Sequence, residues 1–275
     1  MLHAYFVAPQ LQADSIYVYM LVSDVARNPH IVAWWLPPAN GFFPDVVVSA
    51  LGYSMGLHGF SDTAFLHAFF CLWIVVTATA LLRAGGIAPV PALGAAVVAL
   101  AAFDLVDPSK TLLTWTLLVP DSHEGVIGVE LAGAALYLRY AAKREGWALA
   151  LLFVVTAIGV FSDRIVATQF AGPIALLAAL RWIVSRAGAE AGSLVAIVAG
   201  TGVGVGCVRL LDYSADFQTA LIPQMLHYPF GRAQLHDVLT HVSTITGTAH
   251  AAFYAAAYLA LLVLLVFPSL RARFG

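Results

Sequence analysis

The sequence predicts an all-α integral membrane protein of about seven transmembrane helices, with short interfacial or re-entrant helices on one face. Two observations carry this. First, 61% of the 275 residues are hydrophobic and only 10% are charged, against roughly a quarter charged in ordinary soluble domains. A soluble fold of this size cannot bury that much apolar surface and still cover itself with polar groups. Soluble enzymes, nucleic-acid binders and disordered chains are excluded. Second, the apolar residues fall into stretches near the roughly 20 residues that a helix needs to cross the hydrocarbon core.

Seven such stretches run Ser61–Leu82, Ile87–Val106, His123–Arg139, Trp147–Phe161, Val166–Ile183, Ala191–Val208 and His250–Phe267. Val46–Leu57 and Thr111–Pro120 are apolar but too short to span, so they read as interfacial or re-entrant helices. The organisation is then an outer segment, 1–60, followed by a membrane domain, 61–275, with long outer loops at 104–122 and 209–249.

Charge sets the orientation. One set of connections holds Arg83, Arg139, Lys143, Arg144, Arg181, Arg186, Arg271 and Arg273 with only Glu145 and Glu190 as acids. The other holds Arg27, Lys110, Arg164, Arg209 and Arg232 against twelve acids: Asp14, Asp24, Asp45, Asp62, Asp104, Asp107, Asp121, Glu124, Asp163, Asp212, Asp216 and Asp237. Loops rich in Lys and Arg stay cytoplasmic. The first set is therefore inside, every span alternates, and the C-terminus is cytoplasmic. Residues 1–60 then face outward although MLHAYFVAPQ is no signal peptide. A missing preceding helix and a hydrophobic hairpin formed by Met1–Pro9 and Ser15–Val22 are the two ways to account for this.

The polar chemistry is concentrated on the outer side. Asp14 and Asp45 each precede an apolar run, where a carboxylate caps a helix by accepting free backbone N–H groups. Trp34 and Trp35 have the character of interfacial anchors. Asp121, Ser122, His123 and Glu124 open a helix that carries Glu130 almost two turns in, and an ionisable group at that depth is a functional candidate. Asp163 and Arg164 share a tight outer turn, either pairing with each other or serving acid–base chemistry. The cysteines, Cys71 and Cys207, both lie in apolar runs, so neither a disulfide framework nor a zinc site is expected. Asp237 and His241, four residues apart with His236 beside them, are a weak divalent-metal pattern, and no metal is expected. Gly200, Gly202, Gly204 and Gly206 give the small-xxx-small spacing of close helix packing and a possible oligomer contact. No Lys follows them, so they form no phosphate loop.

The residues Ser23-Asp24, Trp35 to Asn40 and Phe42 to Asp45, together with Ser122-His123-Glu124 and Asp163-Arg164 followed by Gln169 to Pro173, resemble a group of uncharacterised bacterial multi-pass membrane proteins similar to the GT-C class of glycosyltransferases. The resemblance covers most of residues 14–180. It implies a polyprenyl-phosphate-linked sugar as donor, the bacterial inner membrane as location, and a longer relative with one more helix before the first outer loop. By position it implies Asp24, or else Asp14, as the first catalytic acid and Asp163 as the second. Asp45, His123, Glu124, Trp35 and the outer arginines Arg164, Arg209 and Arg232 would then bind substrate, the guanidinium forks matching phosphate oxygens. A non-catalytic subunit of a membrane assembly and a transporter using Glu130 and His67 are the competing readings. For the transporter, no internal repeat supports the inverted halves that such proteins often carry.

The topology has a direct test. Single cysteines placed at positions 83 and 110 in a cysteine-free background should differ: position 110 reacts with a membrane-impermeant maleimide added from outside, and position 83 reacts only after permeabilisation. Outside labelling of position 83 would invert the arrangement.

Overall fold

The computed structural model describes residues 13–27, 34–36, 42–106, 124–185, 188–212 and 217–219. All belong to the first of two units into which the chain divides, Met1–Ala220. Thr111–Pro120, His250–Phe267 and most of segments 104–122 and 209–249 lie outside the described residues.

The architecture is helical. α1 is Ala13–Arg27, and after β1 (Trp34–Leu36) a π-helical turn at Phe42–Val46, here the strap, leads into α2, Val47–Ser54. Then come α3 (Phe60–Ala84), α4 (Pro89–Val106), α5 (Glu124–Lys143), α6 (Gly146–Ser162), a second π-helical turn at Ala167–Ala171 running into α7 (Gly172–Ser185), α8 (Gly188–Asp212) and β2 (Phe217–Thr219). The two short strands pair in parallel with Trp34 opposite Phe217, which joins the segment before the strap to the chain that follows α8.

Among the described residues, three helices are long and apolar enough to cross a membrane: Ser61–Ala84, Ala167–Ser185 and Gly188–Leu211. Pro89–Ala101 and Gly146–Ser162 are apolar but shorter. α5 has 20 residues, about 30 Å at 1.5 Å per residue, yet its Glu130, Arg139 and Lys143 dilute its apolar character.

The distribution of polarity is that of a protein in lipid. Large apolar side chains point outward: Val90 is 81% exposed and Val184 86%, with Leu72, Val98, Leu176, Val195 and Leu210 similarly bare. Polar side chains are buried instead, among them Ser49, Thr156, Ser162, Asp163, Glu190 and Ser193. A membrane offers no water to satisfy hidden backbone or hydroxyl groups, and threonine hydroxyls turn onto their own helices. Thr156 donates to the Leu152 carbonyl at 2.7 Å, and Thr77 to that of Trp73 at 2.8 Å.

Lipid also removes the hydrophobic drive between helices, which leaves close packing as the main attraction. α3 packs on α4 and α5, α5 on α6, α6 on α8 and α8 on α7. At the α6–α8 contact, Gly200 and Gly204 sit against the α6 backbone. A Cβ on Gly200 would stand 2.7 Å from the Phe153 carbonyl oxygen, and one on Gly204 2.6 Å from that of Ala157. Gly202 and Gly206 face open space among the described residues. Of the two interleaved glycine pairs in the sequence, one is thus used within the chain.

The connection between α2 and α3 fixes how the strap and α2 meet the bundle. Gly56 (φ 83°) and Gly59 (φ 55°) take left-handed backbone conformations, which cost a residue with a side chain about 1 kcal/mol or more. The turn lays α2 back along α3, where Val48 joins Leu66 and Phe70 in a small core.

The glycine face yields a prediction. Gly200→Ala and Gly204→Ala should each destabilise the detergent-solubilised protein by about 1–3 kcal/mol, because a carbonyl in a rigid helix cannot give way. Gly202→Ala and Gly206→Ala should be neutral or stabilising by up to ~1 kcal/mol through helix propensity. Thermal unfolding of the four variants measures the difference.

Candidate functional site

Three acidic side chains are buried at one end of the bundle, at the ends of helices that the charge pattern assigns to the outer face. They are Asp45 (8% exposed), Asp62 (1%) and Asp163 (5%). Each comes from a different element, and the strap brings two of those elements together.

The strap lies between the start of α5 and the end of α6. Phe42 stacks on Phe161 of α6, ring centres 5.3 Å apart. The Phe43 backbone N–H donates to Ser162 Oγ at 2.9 Å. On the other side Pro44 and Asp45 close over Gly125, where a Cβ would stand 2.5 Å from Pro44 Cδ and 2.7 Å from an Asp45 carboxylate oxygen. Glycine at 125 is what lets the strap seat. Asp45 therefore faces the first turn of α5, where free N–H groups and the helix dipole favour an anion. The sequence suggested that Asp45 caps the helix it precedes. In the structure Val46 holds the N-cap position of α2, without a side-chain cap bond.

Asp163 follows Ser162 directly. Its backbone N–H closes α6 on the Gly159 carbonyl at 2.8 Å, and Oδ1 accepts from the Ile165 N–H at 3.0 Å. The side chain thus folds over its own turn and is covered, at the tight turn that the sequence places between two spans. Arg164 beside it is half-buried.

Asp62, which sequence reasoning counted only as a charge, is the most buried of the three. Its Oδ2 accepts a 2.6 Å hydrogen bond from Ser49 Oγ of α2, itself fully buried. The signal was available in principle: an acid in the first turn of the first span, where solvated acids and buried ones look alike.

The remaining sequence candidates are placed as follows. Asp24 is exposed on α1, which packs against α2 and the strap. Asp14 is the second residue of α1, Trp35 the centre of β1, and Glu124 the first residue of α5. Arg209 is exposed in the last turn of α8. His123, Arg232, His236, Asp237 and His241 lie outside the described residues. The strap thus brings together Asp45, the Ser162–Asp163 corner and the beginning of the helix that Glu124 opens. Among the described residues no three His, Cys, Asp or Glu side chains gather as a metal set.

The opposite end has a different character. Glu190, in the first turn of α8, is buried; its Oε1 pairs with Arg181 Nε of α7 at 3.0 Å and its Oε2 accepts from the buried Tyr137 hydroxyl of α5 at 3.0 Å. Three helices are tied by one carboxylate that is paired on both oxygens, as a buried charge requires. Nearby Arg139 bridges Glu145 at 2.6 Å and lies 4.6 Å over the Trp147 ring. The hydrogen bond from Arg139 holds the Glu145 carboxyl below the usual range. That contribution is present above the ordinary carboxylate pKa and fades as the pH falls through the lowered one; in so exposed a pair it is slight.

Comparison with known protein families, characterised proteins and solved structures gives no match. The chemistry of the site therefore stands on its geometry. Paired carboxylates at the Glu190 end describe a structural joint. Carboxylates gathered about a strap, at helix termini, describe a place where a polar ligand could be held and a proton accepted.

Proposed function

We propose that the chain is a membrane-embedded glycosyltransferase-like protein, taking a sugar from a polyprenyl-phosphate donor at the outer face of a bacterial inner membrane. In this reading seven helices cross the membrane in a GT-C-like arrangement, the acidic end faces outward and the C-terminus is cytoplasmic. The observation that carries the reading is the strap, which seats Asp45 at the start of α5 beside the Ser162–Asp163 corner of α6. An inverting transfer needs one carboxylate to take the proton of the acceptor hydroxyl as it attacks the sugar. Asp24 suits that role because it is exposed and can meet an incoming acceptor. Asp163 and Asp45, held by backbone and helix termini, order the site. Arg164 and Arg209 offer cationic forks to the lipid phosphate.

The assay is transfer of labelled sugar from polyprenyl-phosphate donors in membranes containing the protein. Asp24→Asn should lower transfer by about 10²–10⁴, the usual contribution of a general base, with unchanged membrane insertion. Asp45→Asn should be milder, since an amide oxygen still accepts at a helix terminus. Full activity in Asp24→Asn would move the base to Asp14 or Asp163. No transfer by the wild-type chain across several donors would favour the non-catalytic subunit or the transporter.

A further inference from the structure

The Ser49–Asp62 pair is not needed to hold α3 together, and the chemistry proposed above does not use it. It is nevertheless among the most deeply buried polar contacts of the acidic end, with Ser49 fully covered and Asp62 1% exposed. Asp62 Oδ2 takes the Ser49 hydroxyl at 2.6 Å, while Oδ1 has no hydrogen-bond partner among the described residues. Oδ1 rests instead over Gly52, where any Cβ would collide with it and come within 3.0 Å of the Phe65 ring. A carboxylate this buried with a single donor depends heavily on that donor, because losing it exposes the full cost of an unsatisfied polar group.

The contact lies at an informative place. Asp45, Ser49 and Gly52 are spaced i, i+4 and i+7, the spacing of one helix face, and all three are buried. Ser49 is thus one turn beyond Asp45 on the segment formed by the strap and α2. Asp62 is in the first turn of α3, a helix anchored along its length to α4 and α5. On the α6 side, Phe42 of the strap stacks on Phe161 and the Phe43 N–H donates to Ser162.

We propose that Asp62 is a positioning residue: through Ser49 it pins α2 to α3, and so fixes the register in which Asp45 sits against α5. Its relevance to a substrate rests on the function proposed above; the pinning itself does not. Asp62 reaches the site only through another residue. Gly52 is its steric counterpart, leaving the space into which the carboxylate fits.

The test separates the two claims. In the full chain with Cys71→Ser and Cys207→Ser, Asp45→Cys reports whether position 45 is covered, read as its rate of reaction with a charged methanethiosulfonate reagent in membranes. Asp62→Ala and Ser49→Ala should each raise that rate roughly tenfold or more, since α2, which continues the strap, loses its hydrogen bond to α3. Asp62→Asn keeps an acceptor for the Ser49 hydroxyl and should label at close to the parent rate. Gly52→Ala, which displaces the carboxylate without removing it, should behave like Asp62→Ala. Unchanged protection in Ser49→Ala and Gly52→Ala, with insertion intact, overturns the proposal even if Asp62→Ala fails to fold. Fast labelling of Asp62→Asn also overturns it. With Asp45 restored, the same variants are assayed for sugar transfer: loss in Asp62→Ala with retention in Asp62→Asn supports the pairing as part of the site. The labelling pattern without any transfer in wild type supports the pinning and rejects the transferase.

Discussion

The contact between α6 and α8 carries the rest of the described structure. Gly200 and Gly204 let α8 rest directly on α6 carbonyls, the kind of approach that membrane helices use when lipid is as apolar as their own side chains. That contact fixes both ends of the bundle. At one end α8 begins with Glu190, which reaches Arg181 and Tyr137. At the other, α6 finishes with Phe161, Ser162 and Asp163, against which the strap is seated. Shifting α8 outward by the width of a methyl group would disturb the joint at one end and loosen the helix that holds the strap at the other.

The two ends solve the problem of buried charge differently. Glu190 is satisfied on both oxygens by side chains from two neighbouring helices, so it works as a knot. The acids at the other end have backbone or hydroxyl partners: Asp163 the Ile165 N–H, Asp62 the Ser49 hydroxyl. Asp45 lies at the N-terminus of α5. The gathering of Asp45, Asp62 and Asp163 at one end, with the strap closing on α5 and α6, marks that end as the candidate site.

Much of the fold was legible in the sequence because lipid enforces length and polarity. The stretches Ser61–Leu82, Val166–Ile183 and Ala191–Val208 correspond to the three helices long and apolar enough to span, and Val46–Leu57 to the short helix after the strap. Membership of the bilayer followed from composition alone. Other features depended on contacts that spacing does not encode. Gly200/Gly204 and Gly202/Gly206 have identical spacing, and only the position of α6 decides which pair is buried. The tight turn at Asp163 and Arg164 was legible, but not that Asp163 folds back to accept from the Ile165 N–H and is buried. Ser49 and Asp62 are thirteen residues apart across a glycine turn, and their pairing depends on the positive φ values at Gly56 and Gly59. The resemblance puts Asp24 in a loop, whereas the chain around it forms a 15-residue helix.

The central claim is that the strap docks between α5 and α6 and so makes the Asp45 and Asp163 corners one site. Replacing Phe43 and Ser162 with cysteine in a background lacking Cys71 and Cys207 measures this directly, since a disulfide forms only when the two Cα atoms come within about 7 Å. Mild oxidation in native membranes should cross-link the pair rapidly and nearly completely. Two cysteines that both react with a maleimide but never join would contradict the docking, and with it the single acidic site.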